Sequence, residues 1–408
     1  MLSDLLVLDL SRVLAGPYCT QLLSDLGARV IKVESFSGDD TRHWGPPYVA
    51  GESGYYLSIN RGKEGIVVDF KEPRGRAILE RLALKADVLV ENFKVGDLKR
   101  YGLDYASLAS RNPRLVYLSI TGFGQTGPRA QEPGYDAAMQ AHSGLLAMSG
   151  EANGRPVKTP VAFIDVMTGL HGAVGVLAAL HERDRTGSGA YIDLSLFDVA
   201  LASMVNQTQN AILTGEAPAR LGSAHPNIVP YKAFDAADGA VVLAVGNDAQ
   251  FAKLCRVLGI PERAEDERFA TNDARVRNRS ELVAELQGLT AAWTRSELLA
   301  ACSSVGVPAT AVLTLPEALE DVQARARGAV VTGAHPSIGK LDMVASPLWH
   351  VTRHDGSEAA AVPPAGEAGV PPRLGEHSRR VLELDLGFSD SEIDSLIADG
   401  VIGAAAAD

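Results

Sequence analysis

Cysteine is scarce in this chain of 408 residues: Cys19, Cys255 and Cys302 are the only three, far apart and odd in number. No CxxC spacing occurs, which argues against a disulfide framework or a thiolate zinc site and for a reducing cytoplasm. Positive charge is also short. Lys and Arg total 38 against 50 Asp and Glu, a formal net charge of −12. A surface of that sign does not grip nucleic acid, whose backbone takes clustered cations. A local basic pocket for one small phosphorylated ligand stays compatible with it. The opening stretch MLSDLLVLDLSRVLAGP has no basic leader and no cleavage site, and no apolar run is expected to reach the roughly 20 residues that span a bilayer. The expectation is a soluble, cytoplasmic protein with no nucleic-acid or membrane partner.

Other signatures are missing too. No GxGxxG follows the first strand pattern, where SRVLAGP stands instead, so a standard dinucleotide site is unsupported. Ser195 in DLSLFD lacks the G-x-S-x-G elbow of serine hydrolases. His350 and His354 are four apart, but MVASPLWHVTR alternates like a strand, which spoils that spacing for a metal; no metal site is expected. His142 and His171 stand alone and read as packed or hydrogen-bonded residues.

What is present is a regular alternation. LLVLDL, RVIKVE, GIVVDF, DVLVEN and LVYLSI are short apolar strands. GPYCTQLLSDLGA and RGRAILERLALKA between them are amphipathic helices. This predicts an α/β, Rossmann-like fold with a parallel sheet and helices on both faces. A mainly helical block follows, then the strand GAYIDLSLF, and a second α/β segment over roughly 225–325. AAAVPPAGEAGVPPRLGEH reads as a linker or surface loop, followed by a final helix and a fraying GAAAAD tail. Glycine-rich loops, GFGQTGP and AVGNDAQ among them, let a backbone approach a ligand closely.

One carboxylate is out of place. PVAFIDVMTGLHGAVGVLAAL, from Pro160 to Leu180, holds Asp165 among small and apolar residues. Asp165 reads as the N-cap of a helix starting at Val166. At such a position free N–H groups and the helix dipole hold a carboxylate ionised, and a partly desolvated carboxylate is a usable nucleophile toward an activated acyl group. The two roles are compatible.

Taken together, VLDLSRVLAGPYCTQLLSDLGARVIKVE, GDDTR, NRGKEGIVVDFKEPRGR, ADVLVENFKVGDLKRYGLDY, YLSITGFGQTGP, GYDAAMQAHSGL and FIDVMTGLHGAVGVLAAL resemble the class III (CaiB/BaiF, formyl-CoA transferase-like) CoA-transferases. The resemblance runs from Val7 to PPRLGEHSRRVLELDLG. It implies a large Rossmann-like CoA-binding domain beginning with residues 1–214, a small α/β domain at 215–329, and a return segment at 330–408 whose helix packs on the large domain. It further implies a homodimer of interlocked rings. Asp165 falls on the family's catalytic aspartate, which implies attack on an acyl-CoA thioester, an aspartyl anhydride, and then an aspartyl-CoA thioester. Coenzyme A would be substrate and product, with no tightly bound cofactor. The matching CoA-contact positions are Ala15, Asp69, Lys71, Asn92, Phe93, Arg100 and Tyr135.

Two departures stand out: Leu14 replaces a glutamine of the formyl-CoA members, and Ser35 replaces an arginine, leaving one phosphate contact unassigned, with Arg42 nearby. Their glycine-run lid is replaced here by a stretch containing Gly246 and Asn247. GSAHPNIVPYKAF and VGNDAQFAKLCRVLGIPE are most similar to the succinyl-CoA:dicarboxylate branch. A second substrate carboxylate would want donors, for which Arg42, His43, Asn60, Arg61 and His225 are candidates by motif position. Two other functions are compatible with the fold: an α-methylacyl-CoA racemase, although GYD stands where that group carries GHD, and a non-catalytic CoA-binding protein, although Asp165 and its neighbours are intact.

Overall fold

The computed structural model describes residues 1–405; Ala406, Ala407 and Asp408, in the tail expected to fray, lie outside the described residues. The chain divides into two compact units. The larger comprises 1–145, 158–214 and 322 onward, and the smaller comprises 146–157 and 215–321.

The larger unit is a doubly wound sheet. Its strands are β1 (Leu6–Asp9), β2 (Arg29–Glu34), β3 (Glu64–Val68), β4 (Val88–Glu91), β5 (Val116–Thr121) and β6 (Ala190–Ser195). They lie in the order β3-β2-β1-β4-β5-β6, all parallel, with the short strand Ile402–Gly403 antiparallel on β3. The strands read as near-continuous apolar runs because both faces are covered. On one face Leu8, Ile31, Ile66 and Leu89 pack on helix α2 (Pro73–Lys85) and on the C-terminal helices through Val381 and Ile393. On the other, Val7, Val30, Val90 and Leu118 pack on α1 (Ala15–Asp25) and on a later long helix through Leu22 and Val176. Strand order reverses between β1 and β4, and in such sheets the crevice outside the carboxyl ends at that reversal is where ligands bind.

Two further helices complete the site's frame: α3 (Asp136–His142) and the long α4 (Phe163–Thr186). Contrary to the reading from sequence, α4, at 24 residues, is long and apolar enough to cross a membrane by length and composition; half of its most apolar stretch is buried within the protein. Glycines set its packing. A Cβ on Gly169 would lie 2.8 Å from the Ala15 carbonyl oxygen, and one on Gly172 would lie 3.0 Å from Leu118.

The smaller unit has a three-stranded antiparallel sheet of Ala309–Ala311, Gly239–Ala244 and Tyr231–Ala236. Phe234, Leu243, Phe251, Leu282 and Leu298 form its core.

Candidate active site

The crevice at the strand reversal begins with the turn between β1 and α1. Each of three consecutive residues there is held by side chains from elsewhere. Asp9 Oδ1 accepts from the Ser11 N–H at 2.9 Å, and Lys32 Nζ donates to the Ser11 carbonyl at 3.0 Å. Asn92, just past β4, accepts from the Arg12 N–H at 2.9 Å and donates to its carbonyl at 2.7 Å. Asp39 Oδ1 accepts from the Val13 N–H at 3.3 Å. Three of the holding groups, Asp9, Lys32 and Asp39, belong to a buried network: Lys32 donates to Asp39 at 2.8 Å, and Lys63 donates to Asp9, Pro17 and Asn60 at 3.1, 2.8 and 2.9 Å. Burial drives the Lys63 ammonium down to about 8 although Asp9 pulls it up. Burial likewise opposes the ionised form of Asp39, but Lys32 and the Thr41 donors hold its carboxyl at about 2.

Helix α1 starts from this turn without a side-chain cap. Pro17 has no N–H, and among the described residues no acceptor faces the N–H groups of Ala15 and Gly16. Gly16 is required by a close approach, since a Cβ there would lie 2.2 Å from Ser11 Oγ.

Asp165 sits in the first turn of α4, two residues inside a helix that begins at Phe163, so it is not the N-cap. Ala162 holds that place and has no side chain to offer. The cap comes from another helix. Asp136 Oδ1 accepts from the Ile164 N–H at 2.7 Å and the Asp165 N–H at 3.3 Å, while Oδ2 accepts from Gln140 at 2.6 Å. Gln140 is fully buried and ties down the segment leading into α4 by accepting from the Thr159 N–H at 2.9 Å. Asp136 itself is delivered by two glycines: a Cβ on Gly122, after β5, would lie 2.6 Å from the Cα of Gly134.

Asp165 is only 9% exposed, and its carboxylate accepts no hydrogen bond among the described residues. Burial first, and the neighbouring Asp136 charge second, push its carboxyl up to about 7. The consequence for stability has a definite sign. The native state holds a proton up to about pH 7, whereas an unfolded aspartate releases it near 3.8. Native stability therefore falls as pH rises from about 4 to about 7 and stays lowered above. At ~1.4 kcal/mol per pKa unit the ceiling is about 4 kcal/mol, and ~1–3 is expected once the site relaxes. Asp165→Asn removes the charge. Its thermal midpoint at pH 8 will exceed that of the wild type, and the gap will close toward pH 4; equal midpoints at pH 8 would show that Asp165 is not held at a cost.

Asp165 shares a cleft of about 280 Å³ with Ala15, Asn92, Phe93 and Tyr135. A second cleft, about 620 Å³, is lined by Asp69 and Lys71 and adjoins the first, with Arg12, Phe93 and Asp97 lining both. Phe93 packs edge-on against Phe70 with ring centres 5.7 Å apart. Lys71 is exposed beside Asp69, whose carboxylate accepts its N–H at 3.0 Å. Arg100 is exposed, pairs with Asp97, and lines neither cleft.

Other residues singled out from sequence lie elsewhere. Arg42 is buried: it donates to Glu34 twice at 2.8 Å, to Glu52 at 3.1 Å and to the Pro372 carbonyl at 3.0 Å, and it stacks on Tyr56 at 3.7 Å. Arg61 is buried against Asp25 at 2.6 Å, and Asn60 is fully buried between Tyr56 and Lys63. These three are occupied by the fold and line neither cleft. His43 is exposed and contacts the Ser37 carbonyl at 3.0 Å. His225, Gly246 and Asn247 belong to the smaller unit, where Asn247 caps the helix Asp248–Val257 by accepting from the Gln250 N–H at 2.9 Å.

Asp136, Gln140 and the Asp39–Lys32 pair escaped the sequence reading. Asp136 stands in the quoted GYD, and an acid opening its own short helix was the available signal. Nothing local marks the other three.

Asp165, buried and with no hydrogen-bond partner for its carboxylate among the described residues, lines the same cleft as Ala15 at the start of the uncapped helix α1. That arrangement suits an α/β enzyme that handles acyl groups. The chain belongs to CoA-transferase family III, whose pattern it matches over residues 2–369. It is 44% identical to the succinate–glutarate CoA-transferase of Agrobacterium fabrum over 93% of this chain and 94% of that one. It is 41% identical to the succinyl-CoA:glutarate CoA-transferase of Mus musculus, covering 97% and 89%. Among solved structures, a CaiB/BaiF family protein from Brucella suis superposes with a TM-score of 0.80 at 44% identity, covering 93% and 98%. The sequence expectation of a family III CoA-transferase working on CoA thioesters stands.

Proposed function

We propose that this enzyme moves CoA from succinyl-CoA to a dicarboxylic acid of the glutarate class, with Asp165 as the covalent carrier. The observation that carries the reading is Asp165 itself, buried, unpartnered and at the wall of the cleft. The names of the relatives support the choice of acids. A free carboxylate is a poor electrophile, so CoA cannot pass to it directly. Attack by Asp165 on the thioester carbonyl gives an aspartyl anhydride and frees the CoA thiolate. The thiolate then attacks the Asp165 carbonyl, giving aspartyl-CoA and releasing succinate. The acceptor carboxylate enters and the same steps run backward to the new thioester. The N–H groups of Ala15 and Gly16, which have no acceptor among the described residues, are available to stabilise the oxyanion of each tetrahedral intermediate. The pantetheine arm lies past Asn92 and Phe93, and the nucleotide end lies in the larger cleft beside Lys71.

The protein acts as an interlocked homodimer in the cytoplasm. Exposed Val205, Ile212 and Leu213 on the helix Val205–Thr214, with Val174 on α4, leave apolar surface for a second subunit to cover. The three buried, unpaired cysteines suit a reducing compartment.

Succinyl-CoA should yield glutaryl-CoA in the presence of glutarate at least tenfold faster than it yields the corresponding thioester from acetate or carnitine. Faster transfer to the monocarboxylates would overturn the choice of acceptor. Because attack needs the ionised form, turnover with succinyl-CoA will rise with pH through about 7. Asp136→Asn keeps an acceptor for the α4 N–H groups but removes the repelling charge, so this limb will move to lower pH by roughly half to one unit. A limb that stays in place would remove Asp136 from the electrostatics.

A further inference from the structure

Val13 is the most strained residue at the site. Its φ is +70°, a region that β-branched residues rarely enter. Nothing in its own side chain favours that conformation. It is held from both sides: Asn92 clasps the N–H and carbonyl of Arg12, and Asp39, fixed by Lys32, accepts from the Val13 N–H. After Leu14 come Ala15 and Gly16, whose N–H groups have no acceptor among the described residues, and Val13, Leu14 and Ala15 line the cleft with Asp165.

We propose that Asp39 and Asn92 are positioning residues that hold Val13 in its strained turn and thereby aim the Ala15 and Gly16 N–H groups at the carbonyl that Asp165 attacks. The inference rests on the transferase reading of Asp165. Strain maintained next to a reacting centre is preorganisation: the donors stand where the oxyanion forms and need not be moved there during reaction. The clamp also gives Asn92 a different task from a CoA ligand, since both polar atoms of its amide are engaged with Arg12.

The test uses glycine, which adopts positive φ without help. Asp39→Asn is introduced into the wild type and into Val13→Gly, and kcat and KM for succinyl-CoA with glutarate are measured for all four proteins. In the wild-type background we expect kcat to fall tenfold or more with KM changed less than about threefold. In the Val13→Gly background the same substitution should cost threefold or less. An equal loss in both backgrounds, or no loss in either, overturns the clamp. If Asp39→Asn does not fold, Asn92→Ala takes its place with the same two backgrounds. A simple CoA ligand would then raise KM equally in both. Amide hydrogen exchange across residues 11–18 reads the clamp without turnover: exchange should quicken about tenfold on loss of either holder, and unchanged exchange overturns it. A wild type that transfers no CoA contradicts the transferase reading alone, and the exchange result still decides the clamp.

Discussion

Asp165→Ala will lose at least about 10⁴ in kcat/KM for CoA transfer from succinyl-CoA, and the protein will remain folded. The size follows from the role. In the proposed role of covalent carrier Asp165 has no ready substitute: the neighbouring Asp136 has both oxygens engaged, one with the α4 N–H groups and one with Gln140, and Asp40, Asp97 and Glu132, which line the cleft, are paired with Arg12, Arg100 and Arg129. What survives would be the contribution of binding and of the Ala15 and Gly16 donors. The retained fold follows from the same environment. Among the described residues the Asp165 carboxylate makes no hydrogen bond that the mutant would break, and its charge is disfavoured by burial and by Asp136. A thermal midpoint at or above that of the wild type at pH 8, together with the lost activity, is the combined result expected. An Asp165→Ala enzyme within tenfold of wild type would remove the carboxylate from the chemistry.

Gly122→Ala is expected to cost about 2–3 kcal/mol of stability and ten- to a hundredfold in kcat. The new methyl group would lie 2.6 Å from the Cα of Gly134 and 2.8 Å from its nitrogen, both backbone atoms with no rotamer to turn away. Something must shift, and what shifts is the segment carrying Tyr135 and Asp136. Asp136 is both the cap of α4 and the charge beside Asp165, so a displacement of a few tenths of an ångström loosens the cap and moves Asp165 together with it. Urea denaturation gives the first number and steady-state kinetics the second. A variant as stable and as active as the wild type would show that the two glycines tolerate separation.

The strands were legible because a sheet covered on both faces leaves unbroken apolar runs such as LVLD and VLVE, whatever the distant contacts. Asp165 was legible because an acid among small apolar residues demands a reason. Its place in the helix was not: the cap is donated by Asp136, 29 residues earlier, and a local pattern shows only caps that lie next to the helix they serve. Arg42, Asn60 and Arg61 are substrate candidates by motif position, but Glu34, Lys63 and Asp25 consume them, and those pairings depend on the tertiary fold. Val13 illustrates a further limit. A turn that needs positive φ usually announces itself with glycine; where a valine is forced into it by Asp39 and Asn92, the sequence carries no sign. The membrane-length stretch in α4 is not an unbroken apolar run, since Asp165 and His171 interrupt it, yet helix length and mean hydropathy tolerate both.

Covalent participation of Asp165 is tested most directly by peptide mass mapping after incubation with succinyl-CoA and no acceptor, with and without hydroxylamine. The predicted result is a CoA-sized adduct, or a hydroxamate once hydroxylamine is present, on the peptide containing Asp165 and absent from Asp165→Ala. No adduct with any acyl-CoA tried, alongside exchange of the α-proton in deuterated water, would contradict covalent transfer through Asp165.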